Sequence, residues 1–518
     1  MQIAAAQQMR ELDRIAIKER GIPSTDLMER AAGAVADAAC GLAEEYRKHT
    51  PQKRGPLRAV CFCGAGNNGG DGVAAARLLL ERGLEVHAVL AGRRDKMTPD
   101  CQEMERRLQA AGGELASMEH PELDAWCQGA DVLVDALFGI GLNTQLRGDP
   151  LGAVQRMNAA PAPVVSADIP SGVEADTGHI LGTAVEAEIT VTFSLPKPGL
   201  YLGNGIRCAG QVMVADIGIP PELVNAVEST LSTVEPADIT LPRRDRMAHK
   251  GQFGKVYLLG GSVNYPGAPV LAARAAVRAG AGLVTVGVPA QVWPTAAAKL
   301  ASAMPQPLPA GKDGTLSLEA AESVLTGLSS CGVCLIGPGL GRSKGAAAVV
   351  RRVLSETQLP VVLDADGINA LEGHIDVLDG RAGLLTILTP HDGEFARLIG
   401  ALPGEDRLAG AVTFAQAHSC CLVLKGHRTI TAFPDGAAYL NTTGNPGMAK
   451  GGSGDVLGGI ITALLGQGLS ARQAVPAAVC LHGEAGDLCA QRLGEYGMTP
   501  SDMIDVLPQV LQRHTARF

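Results

Sequence analysis

The stretch Asn445-Pro446-Gly447-Met448-Ala449-Lys450-Gly451-Gly452-Ser453-Gly454-Asp455 runs directly into the apolar segment Val456-Leu457-Gly458-Gly459-Ile460-Ile461. This pattern predicts a glycine-rich loop entering a buried helix, with a carboxylate at the point of entry. Unpaired N–H groups and the helix dipole make such an N-terminus a hole for anions. A carboxylate beside that hole repels phosphate rather than binding it. Asp455 is better placed to take a proton from a hydroxyl that attacks a phosphoryl group, while the hole stabilises the charge that develops. The plainer alternative is a glycine-rich turn with Asp455 as helix N-cap.

Composition narrows what surrounds this stretch. A chain of 518 residues exceeds one ordinary core, so two or more domains are expected. Hydrophobic residues at 46% and charged residues at 19% suit a packed α/β protein, and 65 glycines with 3% aromatics favour tight turns over stacking surfaces. A net charge of -9 argues against nonspecific nucleic-acid binding, and the run Arg243-Arg244-Asp245-Arg246 is too short to reverse that. The N-terminus lacks the charged region and apolar core of a signal peptide, and no stretch is long and apolar enough for a membrane span. The 12 cysteines show no secreted-type framework, and several fall in apparent strands. Cys331-Gly332-Val333-Cys334 has redox or zinc spacing without a second pair, and core cysteines are the simpler reading. A reducing, cytoplasmic setting follows.

In the first half, apolar spacing predicts helix over 9–45 with a break at Gly21-Ile22-Pro23-Ser24. A buried strand at 58–63, a loop Gly64-Ala65-Gly66-Asn67-Asn68-Gly69-Gly70-Asp71-Gly72, a helix over 73–82 and a strand at 84–90 make a βαβ unit. Gly64, Gly66 and Gly69 match the dinucleotide spacing GxGxxG. Gly92-Arg93-Arg94 stands where a ribose-binding acid belongs, and the loop adds Asn67, Asn68 and Asp71. Two further strands end in acids, Asp135 before Ala136-Leu137-Phe138-Gly139-Ile140-Gly141 and Asp168 before Ile169-Pro170-Ser171-Gly172. Another, 189–193, leads to Lys197. A single strand-end Asp is more often a cap, but ligands bind beyond the carboxyl ends of parallel strands, and several such ends converge here.

These motifs resemble the YjeF N-terminal family, the NAD(P)H-hydrate epimerases, over roughly residues 1–224. The resemblance implies a Rossmann-like three-layer sandwich. Hydrated dinucleotide would be held by Asn67, Asn68, Gly69, Gly70 and Asp71, by Gly139, Ile140, Gly141, Leu142, Asn143, Thr144 and Gln145, and by a catalytic Asp168. It also implies a potassium ion at Asn68, Asp135 and Ser171. Oxygen donors with one carboxylate suit a hard monovalent cation.

Domains are expected at 1–226 and 242–518, with 227–241, Pro-rich and aperiodic, as linker. In the second half, strands are expected at 255–259, 283–288, 332–336, 361–363, 384–388 and 422–424, with a small-residue helix from 267 and a hairpin around Phe433-Pro434-Asp435-Gly436. No GxxxxGK[ST] sequence occurs, so phosphate chemistry falls to the late glycine-rich loop. Gly337-Pro338-Gly339-Leu340-Gly341, Thr389-Pro390-His391-Asp392-Gly393-Glu394 and the opening stretch resemble the ribokinase-like fold, and within it the ADP/ATP-dependent NAD(P)H-hydrate dehydratases. By that resemblance Ala268, Gly339, His391 and a catalytic Asp455 would contact the hydrated nucleotide. Lys425, Gly426, His427, Arg428, Thr429 and Gly454 would lie on ADP or ATP, with magnesium as cofactor. His391 alone reads as a structural cap, but its place at a strand end among glycines favours a ligand contact.

The two halves make chemical sense together. Hydration of NADH or NADPH leaves a hydroxyl at C6 in either configuration. Hydroxide leaves poorly and phosphate well, so a kinase-like site can phosphorylate the hydroxyl and expel phosphate. Such a site reads one epimer, and an epimerase supplies the other. The expectation is therefore a bifunctional epimerase and dehydratase (isomerase and lyase) acting on the small molecules NADHX and NADPHX, a homo-oligomer by family analogy, with no nucleic-acid or membrane partner. The alternatives are a vitamin or sugar kinase of the ribokinase-like type fused to a nucleotide-binding domain, and a first half that only binds.

Overall fold

The computed structural model describes residues 1–50, 52–400 and 406–516. The chain divides into two compact units, Gln2–Ser229 and Thr230 onward with Met1. Each is a three-layer α/β structure.

Among the described residues, the first unit carries a seven-stranded sheet. Its order is Leu115–Ser117, Glu85–Leu90, Arg58–Cys63, Val132–Ala136, Val164–Ala167, Ile189–Phe193 and Gln211–Ala215, all parallel. Chain order reverses between Arg58–Cys63 and Val132–Ala136, which places a ligand crevice beyond the carboxyl ends of those two strands. Alternate residues of Arg58–Cys63 enter different cores. Cys61 and Cys63 pack with the helices Ser24–His49 and Asn67–Glu81, and Val60 and Phe62 with Gly148–Ala159. Burial on both faces explains the uninterrupted apolar run.

The glycine-rich loop is shorter than expected. The helix starts at Asn67, not Val73, with Gly66 as N-cap. Its glycines serve close packing. A Cβ on Gly69 would stand 1.8 Å from the Gly64 carbonyl oxygen, and one on Gly72 2.4 Å from the Ala136 Cβ.

The second unit carries, among the described residues, a ten-stranded sheet. Its order is Met304–Leu308, Leu283–Pro289, Lys255–Leu259, Val333–Ile336, Val361–Leu363, Thr386–Leu388, Cys421–Leu424, Ile430–Ala432, Ala438–Asn441 and Leu231–Val234. Only Ile430–Ala432 runs antiparallel to its neighbours. Leu231–Val234 falls inside the segment expected as linker. It instead pairs in parallel with Ala438–Asn441 as an edge strand.

The helix Ser453–Gly466 is almost wholly buried and packs on Ala268–Arg278. Gly459 permits the contact, since a Cβ there would lie 2.3 Å from the Ala272 carbonyl oxygen. The helix thus lies against its neighbour and the sheet, with its N-terminus presented to a cleft.

Candidate functional site

In the first unit a cleft of about 510 Å³ opens where chain order reverses. Asp168 follows Val164–Ala167 with a left-handed φ of 70°. Aspartate tolerates this conformation better than most residues. The Lys197 ammonium donates to Asp168 Oδ1 at 2.6 Å, and the Ile140 N–H to Oδ2 at 3.3 Å. Lys197 also donates to Thr192 Oγ1 and the Phe193 carbonyl, and is 1% exposed. Asn68 and Asp168 converge around Gly139, where a Cβ would stand 3.3 Å from Asn68 Oδ1 and 2.6 Å from Asp168 Oδ2. Three more carboxyls, Asp13, Asp71 and Asp100, share the cleft. Burial pushes Asp13 up to about 6, with Lys197 opposing and the Asp168 charge adding. Burial, then the charge of Asp168, holds Asp71 well above the usual carboxylate range.

Asp135 is fully buried behind this wall. It accepts from Ser166 Oγ, from the Ser171 N–H and Oγ, and from the Leu137 N–H, at 2.6 to 3.3 Å. Burial raises its pKa against those hydrogen bonds. Among the described residues no cationic side chain pairs with it. The amide nitrogen of Asn68 is also buried without a partner.

In the second unit a cleft of about 900 Å³ surrounds the N-terminus of Ser453–Gly466. Gly452 caps the helix at φ 103°, and Ser453 Oγ donates to the Met448 carbonyl. The preceding loop is anchored at two points. Asn445 donates to Asp487, and Lys450 donates to the Tyr496 and Met498 carbonyls. Ser453 N–H donates to the Lys450 carbonyl and Val456 N–H to that of Gly452, which leaves the N–H groups of Gly454 and Asp455 for a ligand. Burial and the Asp364 charge push Asp455 up to about 7, with Lys425 opposing. Lys425 donates to Asp364 Oδ1 at 2.7 Å and lies 3.8 Å from Glu394 Oε2. Burial works against the ammonium, but these carboxylates raise its pKa overall.

Against this geometry stand the similarities to known proteins. The model described as YjeF-related protein N-terminus matches residues 24–199, and that described as NAD(P)H-hydrate dehydratase matches 256–509. The bifunctional NAD(P)H-hydrate repair enzyme Nnr of Moorella thermoacetica is 42% identical over 99% of this chain and 97% of its own length. The chain belongs to this family. The Nnr of Salinibacter ruber is 37% identical over 98% of this chain and 96% of its own. The solved Bacillus subtilis ADP/ATP-dependent NAD(P)H-hydrate dehydratase, co-crystallised with ATP and Mg²⁺, is 32% identical with a TM-score of 0.46, covering 55% of this chain and 98% of its own.

Of the residues expected in this family's epimerase site, Asn67, Asn68, Asp71, Gly139, Ile140, Gly141 and Asp168 line one cleft. Gly69 and Gly70 do not line it. They pack against Gly64 and Met28. Leu142 is buried in the core, and Asn143, Thr144 and Gln145 are exposed outside the lining. Asp135 and Ser171 tie the wall together from behind.

Of the expected dehydratase residues, His391, Gly454, Asp455 and the turn Lys425, Gly426, His427, Arg428 and Thr429 line the second cleft. The His391 ring caps its own helix by accepting from the Gly393 N–H at 3.0 Å, so it is a cap that also faces the cleft. Ala268 and Gly339 neighbour each other outside this lining. A Cβ on Gly339 would stand 3.0 Å from the Ala268 Cβ.

Sequence reasoning assigned no role to Lys197, Asp13 or Asp364. Asp364 carried the strand-end signal that singled out Asp135 and Asp168. Lys197 is marked only as the residue to which the strand at 189–193 leads.

Proposed function

We propose that this chain repairs hydrated NADH and NADPH in two steps: interconversion of the C6 epimers in the first cleft, and nucleotide-dependent dehydration of the S epimer in the second. The observation that carries the reading is Asp455, a carboxyl at about 7 in the first turn of a buried glycine-capped helix. A base of that strength is half ionised near neutral pH and can take the C6 hydroxyl proton as oxygen attacks the terminal phosphoryl group of ADP or ATP. The free N–H groups of Gly454 and Asp455 donate to the developing charge, and Lys425 and the turn through Thr429 hold the nucleotide. Phosphate then leaves C6 with formation of the ring double bond.

Magnesium fits this cleft as a partner of the nucleotide. Asp364, which lines the cleft beside Asp455, supplies a carboxylate, and such ions bind through one or two carboxylates and substrate phosphates. It would neutralise phosphate charge. A potassium ion fits beside Asn68, Asp135 and Ser171. Its support is a buried carboxylate without a cationic partner. It would compensate that charge and stiffen the wall that carries Gly139. Asp168, held by Lys197, handles the proton as the C6–O bond breaks and re-forms. The absence of any helix long and apolar enough to cross a membrane among the described residues, and twelve free cysteines, support a cytoplasmic setting. Assembly as a homo-oligomer belongs to the same proposal.

The test is recovery of reduced-nicotinamide absorbance from a mixture of both epimers with Mg²⁺ and ADP or ATP. Complete recovery by wild type and none by Asp455→Asn is expected. A stable phosphorylated product in place of inorganic phosphate would overturn the dehydratase assignment.

A further inference from the structure

Epimerisation at C6 needs a proton given to the departing hydroxyl and a proton taken from the water that returns on the other face. In the first cleft Asp168 is held by two partners and can serve one of these steps. One oxygen holds the Lys197 ammonium at 2.6 Å and the other the Ile140 N–H at 3.3 Å. Asp13 is the opposite case. It projects from the helix Ala6–Arg14 into the same cleft, half-buried, and its side chain has no hydrogen-bond or ion-pair partner. The two carboxyls come from separate elements and do not hydrogen-bond each other, yet each lies within the other's field.

We infer that Asp13 is the second acid–base group of the epimerase, working in turn with Asp168 from a separate wall of the cleft. The inference rests on the epimerase reading above. Protonated Asp13 gives its proton to the C6 hydroxyl. The C6–O bond breaks with its electron pair leaving on water, and the N1 lone pair closes the N1=C6 iminium. Water adds to the other face. The iminium pair returns to N1, and Asp168 takes the proton released. In the reverse direction the roles exchange, and the carboxyls reset by proton exchange with bulk water. Asp13 at about 6 can serve in both forms near neutral pH, whereas burial raises Asp71 well above the usual carboxylate range.

The test uses the full chain as wild type, Asp13→Asn and Asp13→Glu, with purified R epimer in H₂¹⁸O. It follows R-to-S exchange, ¹⁸O uptake at C6 and their pH profiles. Charged groups facing Asp13 in the cleft are Asp71, Asp100, Asp168 and Lys197, so the profile is compared with wild type and not with a free carboxyl. Asp13→Asn should lower exchange and ¹⁸O uptake together by at least about 100-fold. Asp13→Glu, which keeps the carboxyl, should retain measurable exchange with a displaced profile. Exchange by Asp13→Asn within threefold of wild type overturns the assignment, as does equal inactivity of both variants, the mark of a structural role. Wild type that leaves the R epimer untouched overturns the epimerase reading and this inference with it.

Discussion

The Lys425 ammonium lies 2.7 Å from Asp364, and a methyl on Gly454 would stand 3.2 Å from the same nitrogen. One cation therefore meets a buried carboxylate on one side and the glycine of the anion hole on the other. Lys425→Met should destabilise the second unit by roughly 3–5 kcal/mol, because removing one partner of a buried pair leaves the other uncompensated. Dehydration should be lost with it. Denaturant unfolding of the variant checks the first, and a loss under 1 kcal/mol would contradict it.

Gly139→Ala should leave the fold intact and remove epimerisation. Its Cβ would sit 2.6 Å from Asp168 Oδ2, so that carboxylate must move from where the Ile140 N–H and Lys197 hold it. In the two-epimer assay the variant should stop with the R form left over. Complete conversion at the wild-type rate would show that the placement of Asp168 is immaterial.

Asp455 ties activity to pH. Its carboxyl is pushed up to about 7, chiefly by burial, and it must be ionised to act as base. The dehydratase kcat/KM should rise with pH through about 7 and then level. A flat profile between pH 6 and 8 would exclude Asp455 as the titrating base.

The same shift makes Asp455 a stability liability. A carboxyl at about 7 folded and 3.8 unfolded binds its proton more tightly in the folded state, so stability falls as pH rises across that window. The melting temperature of Asp455→Asn should match wild type near pH 4 and exceed it increasingly up to about pH 7. A constant difference across the range would mean the carboxyl is not perturbed.

The first glycine-rich turn supplies a contrast within one motif. Gly69→Ala places a methyl 1.8 Å from a carbonyl oxygen and should abolish folding of the first unit. Gly66→Ala meets nothing within 4 Å and keeps a negative φ, so it should fold. Circular dichroism and melting of the pair decide it.

The strands that sequence patterning missed are the four sheet edges, Leu115–Ser117, Gln211–Ala215, Met304–Leu308 and Leu231–Val234. Central strands are buried on both faces and announce themselves as apolar runs. Edges lack that pressure, and Met304–Leu308 carries Pro305 and Pro307, which only an edge accepts. The start of Asn67–Glu81 was hidden because its first turn is built from residues of poor helix propensity, kept there by close approach to Gly64 and Ala136. Strand-end acids were legible because each sits one step past an apolar run. The partners that set their chemistry, Lys197 for Asp168 and Lys425 for Asp364, lie 29 and 61 residues away, beyond the reach of local patterning.

The edge strand Leu231–Val234 also governs how the chain can be divided. Cutting before residue 242, where composition suggests a seam, would free a dehydratase fragment whose Ala438–Asn441 strand offers a row of bare peptide groups to any passing copy. Cutting before residue 230 keeps the pairing. A gene fission that separated the two activities would therefore have to carry this ribbon of backbone into the second product or evolve a replacement for it.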